Sequence, residues 1–301
     1  MTITRRDVLK LGAAAAVGAL SGTAQSAAEL ITRPVPSSGE RLPVVGIGTN
    51  RYRTGSEGEI APLRETLKTF VAAGGKVIDT APLYSSSEVV LGQLIAGLAI
   101  RNELFLATKV YASGRQAGLE EMDASFQRLR TDRIDLIQVH SLSDTETQLA
   151  TMRSAKAAGR YRYVGVTTSR DYQYEEMEAV LKKEKLDFVQ VDYSIENRTA
   201  AERILPLAQE RGIAVLINLP FGRAQLFSEV RGKPLPGWAS EIDCHSWAQF
   251  FLKYVIGHPA VTCAIPGTRK PEHVIDNLGA ARGRLPDEAL RRKMEQFFDK
   301  L

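Results

Sequence analysis

Eight short apolar runs alternate with segments of helical periodicity along most of this chain. Runs that stay apolar nearly throughout are typical of strands buried on both faces of a parallel sheet. The eight predicted strands are Val44–Thr49, Lys76–Ala81, Leu104–Val110, Asp135–Ser141, Tyr161–Thr168, Phe188–Ser194, Ala214–Phe221 and Cys263–Thr268. The segments between them repeat apolar residues at spacings of three and four, which predicts helices. These helices are Leu63–Ala73, Glu88–Leu98, Leu119–Leu129, Thr145–Ala158, Tyr174–Lys185, Ala201–Arg211, Trp247–Gly257 and Pro271–Ala281.

Eight strand–helix units in succession predict an α/β fold, a closed (β/α)₈ TIM barrel forming a single domain over residues 42–301. An open, doubly wound sheet would give a similar alternation. Such a sheet usually carries a G-x-G-x-x-G motif after its first strand. The corresponding stretch here is GIGTNRYRTG, which lacks the third glycine, so the barrel is favoured.

The first 28 residues differ in composition from the rest. Arg5 and Arg6 precede an Ala/Gly/Leu-rich run, and small residues follow at Ala24–Ala28, where a signal peptidase could cleave. The run is short and weakly hydrophobic for a membrane span; an uncleaved anchor and an amphipathic helix are the alternatives. The pattern resembles a twin-arginine (Tat) signal peptide. That resemblance implies export of the folded protein by the Tat machinery, a periplasmic location and no stable membrane span after cleavage. Residues 29–41 are interpreted as a linker.

Composition narrows the classes of partner. The chain has 301 residues, 44% of them hydrophobic, and a formal charge of only +4. No dense basic run is interleaved with aromatic residues, which argues against nucleic acid as a partner. Arg291–Met294 is expected to form the solvated face of a last helix. The two cysteines, Cys244 and Cys263, are expected to be buried thiols rather than a disulfide, and the histidines show no metal-ligand spacing.

Three polar residues close three consecutive predicted strands: Asp79, Lys109 and His140, with Tyr84 five residues after the first. A charged residue in a buried strand costs free energy unless it is paired or faces a cleft. Active sites of (β/α)₈ barrels lie at the C-terminal ends of the strands. We therefore expect these four side chains to share one cleft.

These residue types together suit proton donation. A tyrosine has a pKa near 10, and a nearby ammonium should lower it by stabilising the phenolate. An aspartate would hold the lysine in place, and an imidazole could orient a carbonyl oxygen. The expected product is a general acid aimed at a carbonyl that becomes an alcohol.

The chain resembles the aldo-keto reductase family in four separate motifs. They are DTAPLYSSSEVVLGQ (79–93), ATK (107–109), DLIQVH (135–140) and IPGTRKPEHVIDNLGA (265–280). The resemblance covers residues 42–281 and implies hydride transfer between a nicotinamide cofactor and a small carbonyl substrate. It makes Tyr84 the acid, Lys109 and Asp79 its tuning pair, and His140 the group that orients substrate. The alternatives are a nicotinamide-binding sensor or partner-binding barrel with little turnover, and a non-redox isomerase or lyase.

The resemblance also implies a set of cofactor-binding residues, with NADP(H) favoured over NAD(H). The set is Gly48, Thr49, Thr167, Thr168, Gln190, Pro220, Phe221, Gly222, Thr268, Arg269, Lys270, His273, Asp276 and Asn277. Two positions depart from the family. Thr168 replaces an asparagine that holds the carboxamide, and Asn218 replaces an aromatic residue that stacks on the nicotinamide, for which Phe221 could substitute.

The substrate itself is not identified by the sequence. Asn50 stands where the family often has an aromatic pocket wall. The loop Gly222–Trp238 is expected to border the pocket, with Phe227 and Trp238 as its walls. A lid and an inert surface loop both fit its Pro/Gly content.

Overall fold

A computed structural model describes residues 29–301, and its centre is a sheet of eight parallel strands. A short antiparallel hairpin, β1–β2, precedes them. The strands in chain order are β1 (Thr32–Pro34), β2 (Arg41–Pro43), β3 (Ile47–Gly48), β4 (Val77–Asp79), β5 (Phe105–Val110), β6 (Ile134–His140), β7 (Tyr161–Thr167), β8 (Phe188–Asp192), β9 (Ala214–Asn218) and β10 (Val261–Ala264). The eight strands β3–β10 coincide with the eight predicted strands, so the predicted fold is confirmed.

The sheet closes between its first and last strands. Parallel bridges join Val45 to Ala264 and Gly48 to Gly267. On the opposite side of β3 the chain runs close to β4, where a Cβ on Gly46 would lie 2.6 Å from the carbonyl oxygen of Val77. A Cβ on Gly48 would lie 2.8 Å from that of Ile265. Gly48 therefore allows the barrel to close, and Gly46 allows the neighbouring chain to pass close to β4.

Helices cover the outside of the barrel and bury their apolar faces against it. They are α1 (Glu57–Ala72), α2 (Ser87–Leu98), α3 (Arg115–Leu129), α4 (Thr145–Ala157), α5 (Tyr174–Lys183), α6 (Thr199–Glu210), α7 (Gln225–Glu229), α8 (Trp247–Ile256), α9 (Pro271–Ala280) and α10 (Glu288–Phe298). The first begins six residues before its prediction because Ser56 and Glu59 form a capping box, which apolar periodicity does not register. No helix of residues 29–301 is both long and apolar enough for a membrane span.

The barrel interior is apolar at one end and polar at the other. Near the N-terminal ends of the strands, which we call the floor, the rings of Phe105, Tyr163 and Phe188 lie 5.3–5.8 Å apart. Toward the C-terminal ends, which we call the mouth, the buried side chains are polar and include Asp79 and Lys109. This division confines polar chemistry to the mouth.

The hairpin covers the floor. Val35 and Leu42 are buried among the floor side chains, and the Arg33 guanidinium donates to the carbonyl oxygens of Ile256 (2.7 Å) and His258 (2.6 Å). Residues 29–41, which we interpreted as a linker, thus include a strand attached to the barrel. Two three-residue strands are too short to give an alternating pattern in the sequence. The predicted signal peptide, residues 1–28, lies outside the described residues.

The structure corrects one prediction about α10 and confirms another about the cysteines. Arg291 is buried, not solvated, because its guanidinium donates to Tyr254 O (3.1 Å) and to the Tyr193 hydroxyl and lies 4.8 Å from the centre of the Tyr254 ring. Cys244 and Cys263 are both buried and unpaired. No cluster of three metal-ligating side chains occurs within residues 29–301.

Candidate active site

Strand register and one turn bring the four predicted residues together at the mouth. Asp79 ends β4, Lys109 lies in β5 and His140 ends β6. Tyr84 is returned over the barrel by the turn between β4 and α2, in which its N–H donates to Ala81 O at 3.1 Å. The Lys109 Nζ lies 5.1 Å from the centre of the Tyr84 ring, and the Tyr84 and His140 ring centres are 6.3 Å apart.

Lys109 and Asp79 form an ion pair inside the barrel. Their side chains are 1% and 2% exposed, and Nζ lies 2.6 Å from Oδ2. Nζ also donates to Thr80 O at 2.8 Å. Burial acts to lower the pKa of the Lys109 ammonium, but the charges and hydrogen bonds of Asp79 and Tyr84 together outweigh burial and hold this pKa above its ordinary value. Lys109 is therefore charged at neutral pH.

Two amides support the ion pair from within the barrel. Gln138 Nε2 lies 3.5 Å from Asp79 Oδ1, and Gln190 Nε2 lies 3.4 Å from Oδ2. Gln138 also donates to Gln190 Oε1 at 2.9 Å. Sequence reasoning missed Gln138, which lies two residues before His140 on the same side of β6 and therefore deeper in the barrel than the strand ends.

The pKa of Tyr84 differs in direction from our expectation. Burial raises it above the ordinary value near 10, and the attraction of Lys109 offsets this only in part. The net direction was wrong because the sequence shows a neighbouring cation but not the extent of burial. A raised pKa keeps the phenolic proton in place at neutral pH.

His140 is neutral at neutral pH. Burial, with the nearby charges of Lys109 and Arg170, lowers its pKa to about 4. Its Nδ1 lies 2.9 Å from the Ser141 hydroxyl, and the Tyr111 ring lies edge-on at 5.7 Å. A neutral imidazole in this place can donate one hydrogen bond without adding charge to the site.

A cavity of about 580 Å³ opens at the mouth beside Tyr84 and extends along the strand ends to the start of α9. Of the predicted residues it is lined by Gly48, Thr49, Asp79, Tyr84, Gln190, Pro220, Phe221, Thr268, Arg269, Lys270, His273, Asp276 and Asn277. Lys109 and His140 lie behind Tyr84. Thr167, Thr168 and Gly222 do not line the cavity, and the Thr168 hydroxyl donates to Gln173 Oε1 at 2.5 Å.

The far end of the cavity is cationic. Arg269 and Lys270 are exposed there next to His273, around the N-terminus of α9, where free N–H groups and the helix dipole favour anions. Behind them the Asn277 amide donates to the Thr268 hydroxyl at 3.0 Å, and the Tyr52 hydroxyl donates to Thr268 O at 3.0 Å. These contacts hold the loop that carries the cations.

Asp276 and Asn277 are not an exposed helical face. Asn277 is buried, and the Asp276 carboxylate accepts from Ser246 Oγ (2.8 Å) and Gln249 Nε2 (2.8 Å), which ties α9 to the start of α8. Both residues line the cavity. Asp276 Oδ1 already accepts both of these hydrogen bonds.

The loop after β9 forms a second wall. Leu219, Arg223 and Ala224 line the cavity with positive φ angles, and Arg223 has no ion-pair partner among residues 29–301. Phe227 also lines it, with its ring 4.9 Å from that of Phe221. Trp238, predicted to be a wall, instead packs against Phe250 and Phe297 away from the cavity. Left-handed backbone at residues other than glycine leaves no sequence signal, so Arg223 was missed.

Comparison with known proteins agrees with this geometry. The sequence model of the aldo/keto reductase family matches residues 44–295. Methylglyoxal reductase YeaE of Escherichia coli is 31% identical over 78% of this chain and 84% of its own length. An NADH-specific methylglyoxal reductase of Escherichia coli is 25% identical over 75% of this chain and 85% of its own. An aldo-keto reductase of Klebsiella pneumoniae solved with NADPH superposes with a TM-score of 0.76 at 26% identity, covering 90% of this chain and 95% of that one.

The family match and the relatives named as reductases show that this barrel is a nicotinamide-dependent oxidoreductase. The chain belongs to the aldo/keto reductase family.

Proposed function

We propose that this protein reduces a small aldehyde or ketone to an alcohol, with NADPH as the hydride donor and Tyr84 as the general acid. The observation that carries the proposal is the arrangement of Tyr84 over the Lys109–Asp79 ion pair at the wall of an open cavity. The relatives named methylglyoxal reductases support a small, reactive carbonyl compound as substrate.

The cavity fits a nicotinamide dinucleotide. It runs from the catalytic tyrosine to a cluster of cations, so a reactive ring could lie at one end and phosphates at the other. When bound, the cofactor would supply the hydride. Gln190 and Asn218 would face the ring, and Thr268, Arg269 and Lys270 would hold the phosphate end. The Klebsiella relative solved with NADPH supports NADP(H) over NAD(H).

The residues of the chain divide the remaining work. Tyr84 holds a proton at its phenolic oxygen and gives it to the carbonyl oxygen as negative charge develops there. Lys109 stabilises the phenolate that remains, and Asp79 keeps the ammonium charged and in position. Neutral His140 donates a hydrogen bond that orients the carbonyl.

Equilibrium titration with NADPH, followed by assay of a panel of aldehydes, tests this function. Binding at micromolar NADPH with consumption of reduced cofactor in the presence of methylglyoxal or a related aldehyde is the expected result. Failure to bind either nicotinamide cofactor would refute it.

A nicotinamide-binding protein with little turnover is the second candidate. The departures at Thr168 and Asn218 favour it, because both remove family contacts to the cofactor ring. Tight NADPH binding without reduction of any aldehyde in the panel would support this candidate.

We also propose that the protein is exported in folded form by the Tat machinery to the periplasm. The support is the Arg5-Arg6 pair, the mild apolar run behind it and the small residues at Ala24–Ala28. A bulky charged cofactor is best acquired in the cytoplasm, which requires folding before export. Replacing both arginines with lysine should leave active precursor in the cytoplasm, as seen by fractionation. Normal export of that variant would contradict the proposal.

A further inference from the structure

Three polar side chains lie at adjacent strand ends beside the catalytic residues: Thr168, Gln190 and Asn218. Two of them are already engaged. The Thr168 hydroxyl is turned to Gln173 (2.5 Å). Gln190 accepts from Gln138 (2.9 Å) and directs its amino group toward Asp79 (3.4 Å).

Asn218 is only half engaged. Its Nδ2 lies 3.4 Å from the backbone oxygen of Thr168. Because a carbonyl oxygen can only accept, this contact fixes the orientation of the amide. The Asn218 Oδ1 is then left buried without a partner among residues 29–301, while the side chain lines the cavity. A buried acceptor without a donor costs free energy. A ligand that places an N–H at this point removes that cost and is bound more tightly as a result.

We infer that Asn218 Oδ1 accepts a hydrogen bond from the carboxamide N–H of a bound nicotinamide ring. This inference rests on the proposed function. Thr168 lacks the side-chain amide that the family has at this position. Asn218 on β9, whose Nδ2 lies 3.4 Å from Thr168 O, supplies an amide in its place. It holds the ring by a polar contact at the place where the family stacks an aromatic side chain. Asn218 is a positioning residue, since it orients the cofactor and touches no reacting atom.

The test compares NADP⁺ with 3-acetylpyridine adenine dinucleotide phosphate, in which a methyl group replaces the carboxamide NH₂. The analogue keeps the carbonyl acceptor and loses only the N–H donor. Isothermal titration of the full barrel should show tighter binding of NADP⁺ by roughly 3- to 10-fold, the worth of one neutral hydrogen bond. Asn218→Leu, which is similar in size but cannot accept, should bind both ligands equally.

Asn50→Leu is the matched control, because Asn50 lines the same cavity but is exposed. It should keep the wild-type preference. Circular dichroism checks that each variant is folded, and Asn218→Ala replaces the leucine variant if that one is not. If the wild-type protein binds neither nucleotide, the proposed function fails as well. If it binds both equally, or if the position-218 variant keeps the preference, the inference is overturned while the proposed function stands.

Discussion

Lys109 carries a charge in the interior of the barrel, and the structure shows what makes this tolerable. Its ammonium contacts the Asp79 carboxylate at 2.6 Å and Thr80 O at 2.8 Å. A buried ion pair is seldom a net source of stability, because desolvation offsets the attraction. The proposed mechanism gives the pair a role, since it places a fixed positive charge 5.1 Å from the centre of the Tyr84 ring.

Tyr84→Phe removes the hydroxyl that we propose as the proton donor and little else. We expect turnover of an aldehyde to fall by about 10² to 10⁴, the usual contribution of general acid catalysis. NADPH affinity should change little, because the ring remains in place. Steady-state rates and NADPH titration of the same sample measure both effects.

Tyr111→Phe is the control for that substitution. Tyr111 also packs edge-on against His140, but it is 44% exposed and lies outside the cavity lining. Turnover should stay within a few-fold of wild type. Equal losses in the two variants would show that any missing hydroxyl near His140 has the same effect, and that Tyr84 is not the acid.

Sequence predicts residues at this site only where the strand pattern marks them. Asp79, Lys109 and His140 break apolar runs at their ends, and each is where it was expected. Gln138 could not be found this way, because its place in the site depends on hydrogen bonds to residues distant in sequence. Arg223 could not be found either, because a left-handed backbone conformation directs it to the cavity.

At the level of elements, the close approach of β3 to its neighbours explains the glycine at position 46. Gly46→Ala would bring a methyl group to 2.6 Å from Val77 O, which is backbone and cannot move aside. We expect the free energy of unfolding to fall by about 1–3 kcal/mol, as for other overpacked interiors. Urea unfolding measures this change.

Gly97→Ala is the matched control, and we expect it to raise the free energy of unfolding rather than lower it. Gly97 lies in α2, and nothing lies within 4 Å of a Cβ placed there. Alanine should stabilise this helix by about 0.5–1 kcal/mol. If both variants were destabilised alike, the contact with Val77 would not be the reason for the loss at Gly46.

The cationic N-terminus of α9 predicts selectivity between cofactors. If Arg269 binds the 2′-phosphate that only NADPH carries, Arg269→Ala should weaken NADPH binding about 10-fold or more while NADH binding changes little. Titration with both nucleotides gives the two affinities. Arg51→Ala, a change of another exposed arginine lining the cavity, is the comparison. Equal losses of NADPH and NADH affinity in Arg269→Ala would exclude a 2′-phosphate contact.

The sequence predicted which segments form helices and strands from their buried faces, but it predicted less well where each element begins. The start of α1 depends on hydrogen bonds between Ser56 and Glu59, and that of α8 on Ser246, which accepts from Gln249 N–H. Apolar spacing does not record such polar contacts. The hairpin at the floor was missed for the related reason that its position depends on Arg33 reaching carbonyl groups more than 200 residues away.

For the whole molecule, two half-buried histidines predict how the free energy of unfolding depends on pH. Burial lowers the pKa of His140 and of His258 to about 4, whereas an unfolded chain has a histidine pKa near 6.5. Between about pH 6.5 and 4 the unfolded chain binds protons that the folded protein does not. The free energy of unfolding should therefore fall as pH drops through this range, by at most about 1.4 kcal/mol per pH unit for each group.

His140→Asn should reduce that dependence. Urea unfolding at pH 7 and pH 5 gives the difference in stability, which should be smaller in the variant than in the wild-type protein. His245→Asn changes an exposed imidazole and should keep the wild-type difference. An unchanged difference in His140→Asn would show that His140 takes up protons over this range in the folded protein just as it does in the unfolded chain.

The hairpin at the floor also determines on which face of the barrel the chain ahead of residue 29 is attached. Residue 29 enters beside β10 at its N-terminal end, while the cavity opens at the opposite end of the strands. Anything joined ahead of residue 29, whether a leader, an affinity tag or a solid support, is attached at the face away from the cavity. A protein immobilised through its N-terminus would therefore present its open end to the solution, and nucleotide could enter and leave without passing the support.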